Sequence, residues 1–286
     1  MISLKTGLKK IWYMLRTNFW IQYLFMIGII MELVEIAIGA GSYFFLTKVF
    51  PQGTTAVMTE YDTDVVSYII IGIALNSMLS QGLIGFYNSL VTSYFDRSLE
   101  RVLISPTSIY SLLFSNMISG QLYGVTYTML YLVVGVLFFG ISLGTGNVVL
   151  AILLLLLGVI ATTGLGMLFS LFFLYTAWGK GRPNPVIMFA REFASTFSGA
   201  IFPVKVLIGY APWLYPICAF LPQTHALSAV RMVLGGAGLL APSIMPDIIY
   251  LAVFALITVP VGYFLINRGL DRVRKQGYAL EGVWVY

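Results

Sequence analysis

The chain has 286 residues, of which 59% are hydrophobic and only 9% are charged. Soluble domains carry about 25% charged residues, so this composition excludes an ordinary soluble protein. The formal net charge is +5, but the basic residues fall in short stretches between apolar segments, where they set membrane orientation. We therefore expect a polytopic membrane protein with membrane lipid as its surroundings and no nucleic-acid partner.

The first 20 residues form a basic segment ahead of the apolar part of the chain. Apolar residues recur at helical spacing from Leu4 to Leu15 while the lysines lie on another face, which predicts an amphipathic interfacial helix. The alternative is a basic leader that only fixes topology. A cleaved signal peptide is disfavoured, because the apolar stretch that follows is too long and contains Glu32 and Glu35.

Six apolar segments are close to or above the roughly 20 residues that a helix needs to cross a hydrocarbon core. The sequence therefore predicts an all-α integral membrane protein with six transmembrane helices. They cover residues 21–46, 65–91, 111–140, 148–175, 186–203 and 248–267, and the fifth is the shortest. The sequence predicts a single transmembrane domain over residues 1–286.

Lys and Arg are distributed unevenly among the connecting segments. With the N-terminus in the cytoplasm, twelve of the sixteen basic residues lie inside and only three lie outside. This asymmetry predicts that both termini and the loop between the second and third spans are cytoplasmic.

A compact charged segment follows the second span, within residues 92–110. Its charges alternate in sign at spacings of one, three and four residues: Asp96, Arg97, Glu100 and Arg101. This spacing suits a short helix stabilised by ion pairs, and Pro106 then redirects the chain into the third span. A purely structural loop could be built from Gly and Ser, so we interpret the segment as a docking element for a soluble subunit.

The region between the fifth and sixth spans, residues 203–246, is apolar but interrupted by prolines. Pro203, Pro212, Pro216 and Pro222 prevent one continuous span. We expect two short re-entrant helices, at about residues 207–216 and 225–234, which pack on protein or line a cavity. This region is a candidate external gate, represented by Phe202, Pro203, Leu207, Pro222 and Arg231. A static lid is the alternative.

Two polar stripes lie within the spans. Asn76, Ser80 and Gln81 share one sector of the second span, and Tyr123, Tyr127 and Tyr131 recur every four residues on the third. Both stripes are compatible with a translocation path and with hydrogen bonds that hold helices together. The sequence leaves these alternatives open.

Four charged residues fall inside the predicted spans: Glu32 and Glu35 in the first, and Arg191 and Glu192 in the fifth. Burying them is costly, and pairing between these spans, within a protomer or across a dimer, would reduce that cost. A proton relay is the alternative, and it favours a proton-coupled secondary transporter. The chain lacks the internal repeats and the matching broken helices typical of that class.

No nucleotide, nucleophile or metal motif of the types GxxxxGK[ST], GxSxG or HExxH occurs in the sequence. The only histidine, His225, is expected in an external helix and not as a ligand. We therefore expect a protein that is not an enzyme and holds no cofactor of its own.

Two segments carry a resemblance to the permeases of type-2 ATP-binding-cassette exporters. The first resembles their cytoplasmic coupling segment at Leu99, Glu100, Arg101, Leu103, Ser105 and Pro106. The second, FSGAIFPVKVL followed by LPQTHALSAVRMVLGG, is similar to the end of their fifth span and their external segment. Leu221 precedes Pro222 where Asn-Pro is usual in the family.

This resemblance implies a six-span permease that forms half of a transport unit in a prokaryotic cytoplasmic membrane. Its implied partners are two separate ATPase subunits, which bind ATP and magnesium, and a second copy of the chain or a related permease. The implied activity is export, by alternating access, of an amphipathic or hydrophobic substrate such as a drug, a lipid or a lipid-linked glycan.

Overall fold

The computed structural model describes residues 12, 13, 16, 26–49, 65–96, 98, 101, 109–144, 146–175, 185–236 and 241–276. Within these ranges the regular structure is entirely helical and no strand occurs. The all-α class predicted from the composition is confirmed for this part of the chain.

The helices follow one another in chain order with short connections in the second half. They are α1 (Met26–Val49), α2 (Val65–Phe95), α3 (Ile109–Phe139), α4 (Val148–Tyr175), α5 (Pro185–Phe197), α6 (Leu207–Tyr210), α7 (Tyr215–Ala219), α8 (Pro222–Leu234) and α9 (Met245–Gln276). A 3₁₀ turn at Val204–Val206 leads directly into α6.

Four of the described helices, α2, α3, α4 and α9, are long and apolar enough to cross a membrane. They correspond to the second, third, fourth and sixth predicted spans. Neither α1 nor α5 is among these four, so the count of six spans stays a prediction.

The fifth predicted helix is shorter than the sequence indicated. We expected it to continue to residue 203, but α5 ends at Phe197 after 13 residues, about 20 Å of helix. Gly199 follows with a φ of 88°, a left-handed conformation that stops the helix and that favours glycine. The expected extent of this span is therefore wrong.

Helix α4 contacts its neighbours through glycines. A Cβ atom at Gly166 would overlap the carbonyl oxygen of Leu83 on α2, and one at Gly164 would overlap the hydroxyl of Thr258 on α9. Small residues of this kind let helix backbones approach closely, which is the usual basis of helix association in membranes. The result is a bundle in which α2 is the most deeply buried of the four long helices.

Helix α8 runs antiparallel to the first half of α4. A Cβ atom at Gly146, just before α4, would overlap the carbonyl oxygen of Val233, and one at Gly158 would lie 2.6 Å from the Cβ of Ala226. The ten residues from Val148 to Gly158 span about 15 Å of α4. The first turn of α8 therefore lies near the middle of α4.

Helix α1 packs on α2 and α3 through its small residues. The Tyr131 hydroxyl would lie 3.4 Å from a Cβ atom at Gly39, and the Phe44 and Phe139 rings have centroids 5.3 Å apart. Much of the rest of α1 is exposed in the isolated chain, including Val34 and Ile38. That apolar surface is suited to contact lipid or another protein.

Candidate translocation site

A cavity of about 220 Å³, the outer cavity, lies between α1, α2, α3 and the end of α5. Its polar and aromatic lining consists of Glu35, Tyr43, Asn76, Tyr127, Tyr131 and Ser195. Three of the six residues predicted to line a path, Asn76, Tyr127 and Tyr131, therefore meet here. The sequence did not predict that Glu35 would join them.

The tyrosine stripe of α3 faces α1. The Tyr127 and Tyr131 rings have centroids 5.8 Å apart with an interplanar angle of 36°. Tyr123, one turn earlier, does not line the outer cavity and instead lies close to Glu32 of α1. The stripe thus continues along the interface with α1 beyond the cavity itself.

Asn76 both lines the outer cavity and links two helices. Its Nδ2 donates to the Ser195 hydroxyl at 3.3 Å, and the Ser198 hydroxyl donates to its Oδ1 at 3.4 Å. The side chain is buried. Both alternatives that the sequence left open, path lining and helix attachment, are thus compatible with its position.

A second cavity, of about 580 Å³, lies between α2 and α3. This inner cavity extends along α2 from Gln81 to Asp96, and its lining includes Asn88, Thr92 and Asn116. Gln81 therefore lines a different cavity from Asn76, and Ser80 lines neither cavity.

A layer of helix packing separates the two cavities. Asn76 and Gln81 are five residues apart, about 7.5 Å along α2. Between them the Ser77 and Thr128 hydroxyls are hydrogen-bonded at 2.9 Å, and a Cβ atom at Gly124 would lie 3.1 Å from the Gln81 Cγ. Direct contact of α2 with α3 therefore lies between the two cavities.

The charged segment after α2 is described only in part. Asp96 and Arg101 are exposed, and the Arg101 Nη2 donates to the Asp96 carbonyl oxygen at 2.9 Å. The other residues predicted to couple to an ATPase lie outside the described residues: Arg97, Leu99, Glu100, Leu103, Ser105 and Pro106. The interfacial helix over residues 1–20 also lies outside them, apart from residues 12, 13 and 16.

Arg231 was expected at an external gate, but it forms a buried anchor between α8, α2 and the turn after α5. Its Nη1 donates to the Gly199 carbonyl at 2.7 Å, and its Nη2 donates to the carbonyls of Ala200 at 2.8 Å and Tyr68 at 3.0 Å. The guanidinium carbon lies 3.6 Å from the Tyr68 ring centroid. The turn supplies the carbonyls of Gly199 and Ala200, which are free of the helix because α5 has already ended at Phe197.

The rest of the predicted gate packs on the end of α5. Leu207 is buried in a small apolar cluster with Val204, Leu214 and Cys218, against which Phe202 also packs. The helix expected over residues 207–216 is divided into α6 and α7, because the backbone leaves the helical conformation at Ala211. The helix expected from residue 225 begins earlier, at Pro222, where proline suits the first helical turn.

His225 has a more specific position than the sequence indicated. Its Nδ1 is 2.6 Å from the Asp247 Oδ1, its Nε2 is 2.8 Å from the Ala219 carbonyl oxygen, and its ring stacks on Tyr250. A carbonyl oxygen only accepts, so Nε2 donates to Ala219. This contact ties α7, α8 and α9 together.

The charged residues of α1 and α5 do not pair within the protomer. Arg191 instead forms an ion pair with its neighbour Glu192, at 2.7 Å, and both side chains are largely exposed. Arg191 therefore does not take a partner on α1 in this protomer, and α5 packs mainly against α2 and α4. Pairing across a dimer stays a prediction.

Comparison with known families identifies the class of protein that this helical bundle represents. Residues 46–264, more than half of the chain, match the family model described as ABC-2 family transporter protein. The chain therefore belongs to the ABC-2 transporter family, whose members are multi-pass membrane permeases that associate with ABC ATPase subunits. Among curated proteins, none matches the sequence.

Proposed function

We propose that this permease is the membrane subunit of an ATP-driven exporter, which moves an amphipathic or hydrophobic substrate out of the cell by alternating access. The main observation behind this proposal is that two polar cavities lie along α2, with a layer of direct α2–α3 contacts between them. A substrate passing from one cavity to the other requires α2 and α3 to separate around Ser77 and Thr128. ATP-driven motion of the partner subunits would supply the free energy for that step.

Six membrane spans with both termini in the cytoplasm are part of the same proposal. The distribution of Lys and Arg supports this orientation. The position of α8 supports a re-entrant external segment, because its first turn lies opposite Gly158, near the middle of α4. An irregular backbone at this depth is tolerated where it packs against protein, as α8 does.

A transport unit of two permeases and two ATPases completes the proposal, with ATP and magnesium bound by the ATPases. The exposed apolar side chains of α1 and α5, among them Ile38 and Phe189, are suited to contact a second permease copy, a related permease or lipid. The segment around Asp96 would contact an ATPase, and the inner cavity ends at that residue.

The external segment is proposed as a gate in which one part is fixed and another part moves. Arg231 ties α8 to α2, whereas α6 and α7 expose Tyr210 and Phe220. We expect cysteines at Leu207 and Phe45 to crosslink to an extent that depends on the nucleotide state of the ATPases. Equal crosslinking in every nucleotide state would leave the segment as a static lid.

Glu32 and Glu35 are the observation that favours the second candidate function, a proton-coupled secondary transporter. Both lie on the face of α1 that contacts the tyrosine stripe. The two functions differ in their source of energy, which is ATP hydrolysis for the exporter and a proton gradient for the alternative.

Charge reversal in the coupling segment tests the exporter function. Glu100→Lys and Arg101→Glu should leave membrane insertion intact while abolishing co-purification of the ATPase and ATP-dependent transport. Lys275→Glu, a charge reversal elsewhere on the predicted cytoplasmic side, is the matched control and should leave both unchanged. Transport that persists in both coupling variants and follows an imposed proton gradient would instead support the secondary transporter.

A further inference from the structure

The outer cavity combines one carboxylate with several aromatic rings. Among the described residues that line it, Glu35 is the only charged one, and Tyr43, Tyr127 and Tyr131 supply the rings. A carboxylate within the membrane is costly and is normally retained for a function, with a cation or a proton as its partner. None of the described residues in this lining has a cationic side chain.

The charges around the cavity add to its negative character. Glu32 lies one turn from Glu35, and its Oε1 is buried without a hydrogen-bond partner in the described part of the chain. Arg231 donates to the carbonyl of Ala200, which lines the cavity, but Arg231 itself is not among the lining residues. Arg191 on α5 is compensated by Glu192 at 2.7 Å. The cavity is therefore suited to receive positive charge.

We propose that the outer cavity binds the cationic head group of an amphiphilic substrate. Glu35 provides the counter-charge, and the partly exposed rings of Tyr43 and Tyr127 provide cation–π attraction, as in the aromatic cages that bind quaternary ammonium groups. This inference rests on the proposed function and adds the chemical class of the substrate.

The size of the cavity fits a head group and excludes a whole drug-sized molecule. Its volume of about 220 Å³ is below the roughly 300–1,000 Å³ of pockets that hold drug-sized ligands. The apolar part of the substrate would then lie outside, against the exposed side chains of α1 such as Val34 and Ile38. A neutral glycan could stack on the tyrosines but would leave the Glu35 charge uncompensated.

Binding to the full-length permease in lipid nanodiscs tests this proposal without the ATPase. The probes are decyltrimethylammonium and decyl maltoside, which share a tail and differ in the head group. We expect saturable binding of the cation, and binding at least about tenfold weaker in Glu35→Gln. The control Asp271→Asn removes an exposed carboxylate near the end of α9, outside the cavity, and should bind like the unmodified protein.

A second pair of variants separates cation–π attraction from hydrogen bonding. Tyr127→Phe keeps the ring and should hold the affinity for decyltrimethylammonium within about threefold, whereas Tyr127→Leu should lower it about tenfold. These two Tyr127 variants also test the proposal if Glu35→Gln fails to fold. Equal losses in Phe and Leu, unchanged binding in Glu35→Gln, or equally tight binding of decyl maltoside would each overturn the proposal.

The outcome is distinguishable from failure of the exporter function. If the cation does not bind but co-purification of the ATPase still depends on Glu100, only the proposed substrate class is refuted. If the cation binds but transport does not depend on ATP, the proposed binding site stands and the exporter function is refuted.

Discussion

Arg231 and Glu35 are both charged groups in an apolar part of the molecule, but their surroundings differ. Arg231 is buried, donates to three main-chain carbonyls and stacks on Tyr68. Glu35 is exposed at the edge of a cavity and faces aromatic rings. The fold compensates the first charge and leaves the second accessible to a ligand.

This difference separates a structural charge from a functional one. A buried cation that donates to several main-chain carbonyls stabilises one arrangement of the chain, because its removal leaves buried acceptors without donors. An accessible carboxylate adds little to stability and is available to bind. The predictions below test this contrast through the stability of the folded protein, from the largest expected effect to the smallest.

Removal of Arg231 should give the largest loss of stability. Arg231→Leu leaves the carbonyls of Gly199, Ala200 and Tyr68 without this donor, and hydrogen bonds to charged groups are worth about 1.5–3 kcal/mol each. We expect a loss of at least about 3 kcal/mol, measured by thermal unfolding in detergent. Arg191→Leu, which removes an exposed arginine, should cost less than about 1 kcal/mol. Similar losses in the two variants would refute the contrast.

Gly72 should show the next largest effect, because it makes room for the Arg231 anchor. A Cβ atom at Gly72 would overlap both the Arg231 guanidinium and the Ala200 carbonyl oxygen. Gly72→Ala should therefore destabilise the protein by about 1–3 kcal/mol, although alanine is normally the better residue in a helix. Gly209→Ala, where no atom lies within 4 Å of the added Cβ, serves as the control. Equal melting temperatures in both variants would contradict the close packing.

Substitution of Asn76 should have an intermediate effect on stability. Asn76 lines the outer cavity and also bonds to Ser198, next to the turn that Arg231 holds. Asn76→Leu removes the hydrogen bonds to Ser195 and Ser198 and adds bulk to the outer cavity. We expect a loss of about 1 kcal/mol in stability together with reduced transport. Ser80→Leu, at a residue that lines neither cavity, should leave transport intact. Reduced transport in Ser80→Leu alone would indicate that the translocation path does not pass through the outer cavity.

Glu35 should show the smallest effect on stability. Glu35→Gln changes an exposed side chain at the cavity edge, so unfolding should shift by less than about 0.5 kcal/mol. Co-purification of the ATPase should also be unchanged, because the residue lies on α1 and not in the coupling segment. A loss comparable with that of Arg231→Leu would mean that Glu35 is a structural group.

Much of the architecture could be predicted because it depends on local sequence. The long apolar segments predicted α2, α3, α4 and α9, and the four-residue spacing predicted the common face of the tyrosine stripe. The end of α5 at Phe197 was missed, because its stop depends on the conformation of Gly199 and on the Arg231 contacts that hold the following turn. Hydropathy contains no information about either.

The sequence alone determined that this chain is a helical membrane protein with a charged segment after its second span, because the cost of burying charge in lipid leaves few alternatives. It also indicated the family through short motifs. Only the tertiary structure decided that Arg231 is an anchor, that Arg191 pairs with its neighbour and that Glu35 joins Asn76 and Tyr127 at one cavity. These outcomes depend on which helices meet, and residues far apart in the chain become neighbours only through packing.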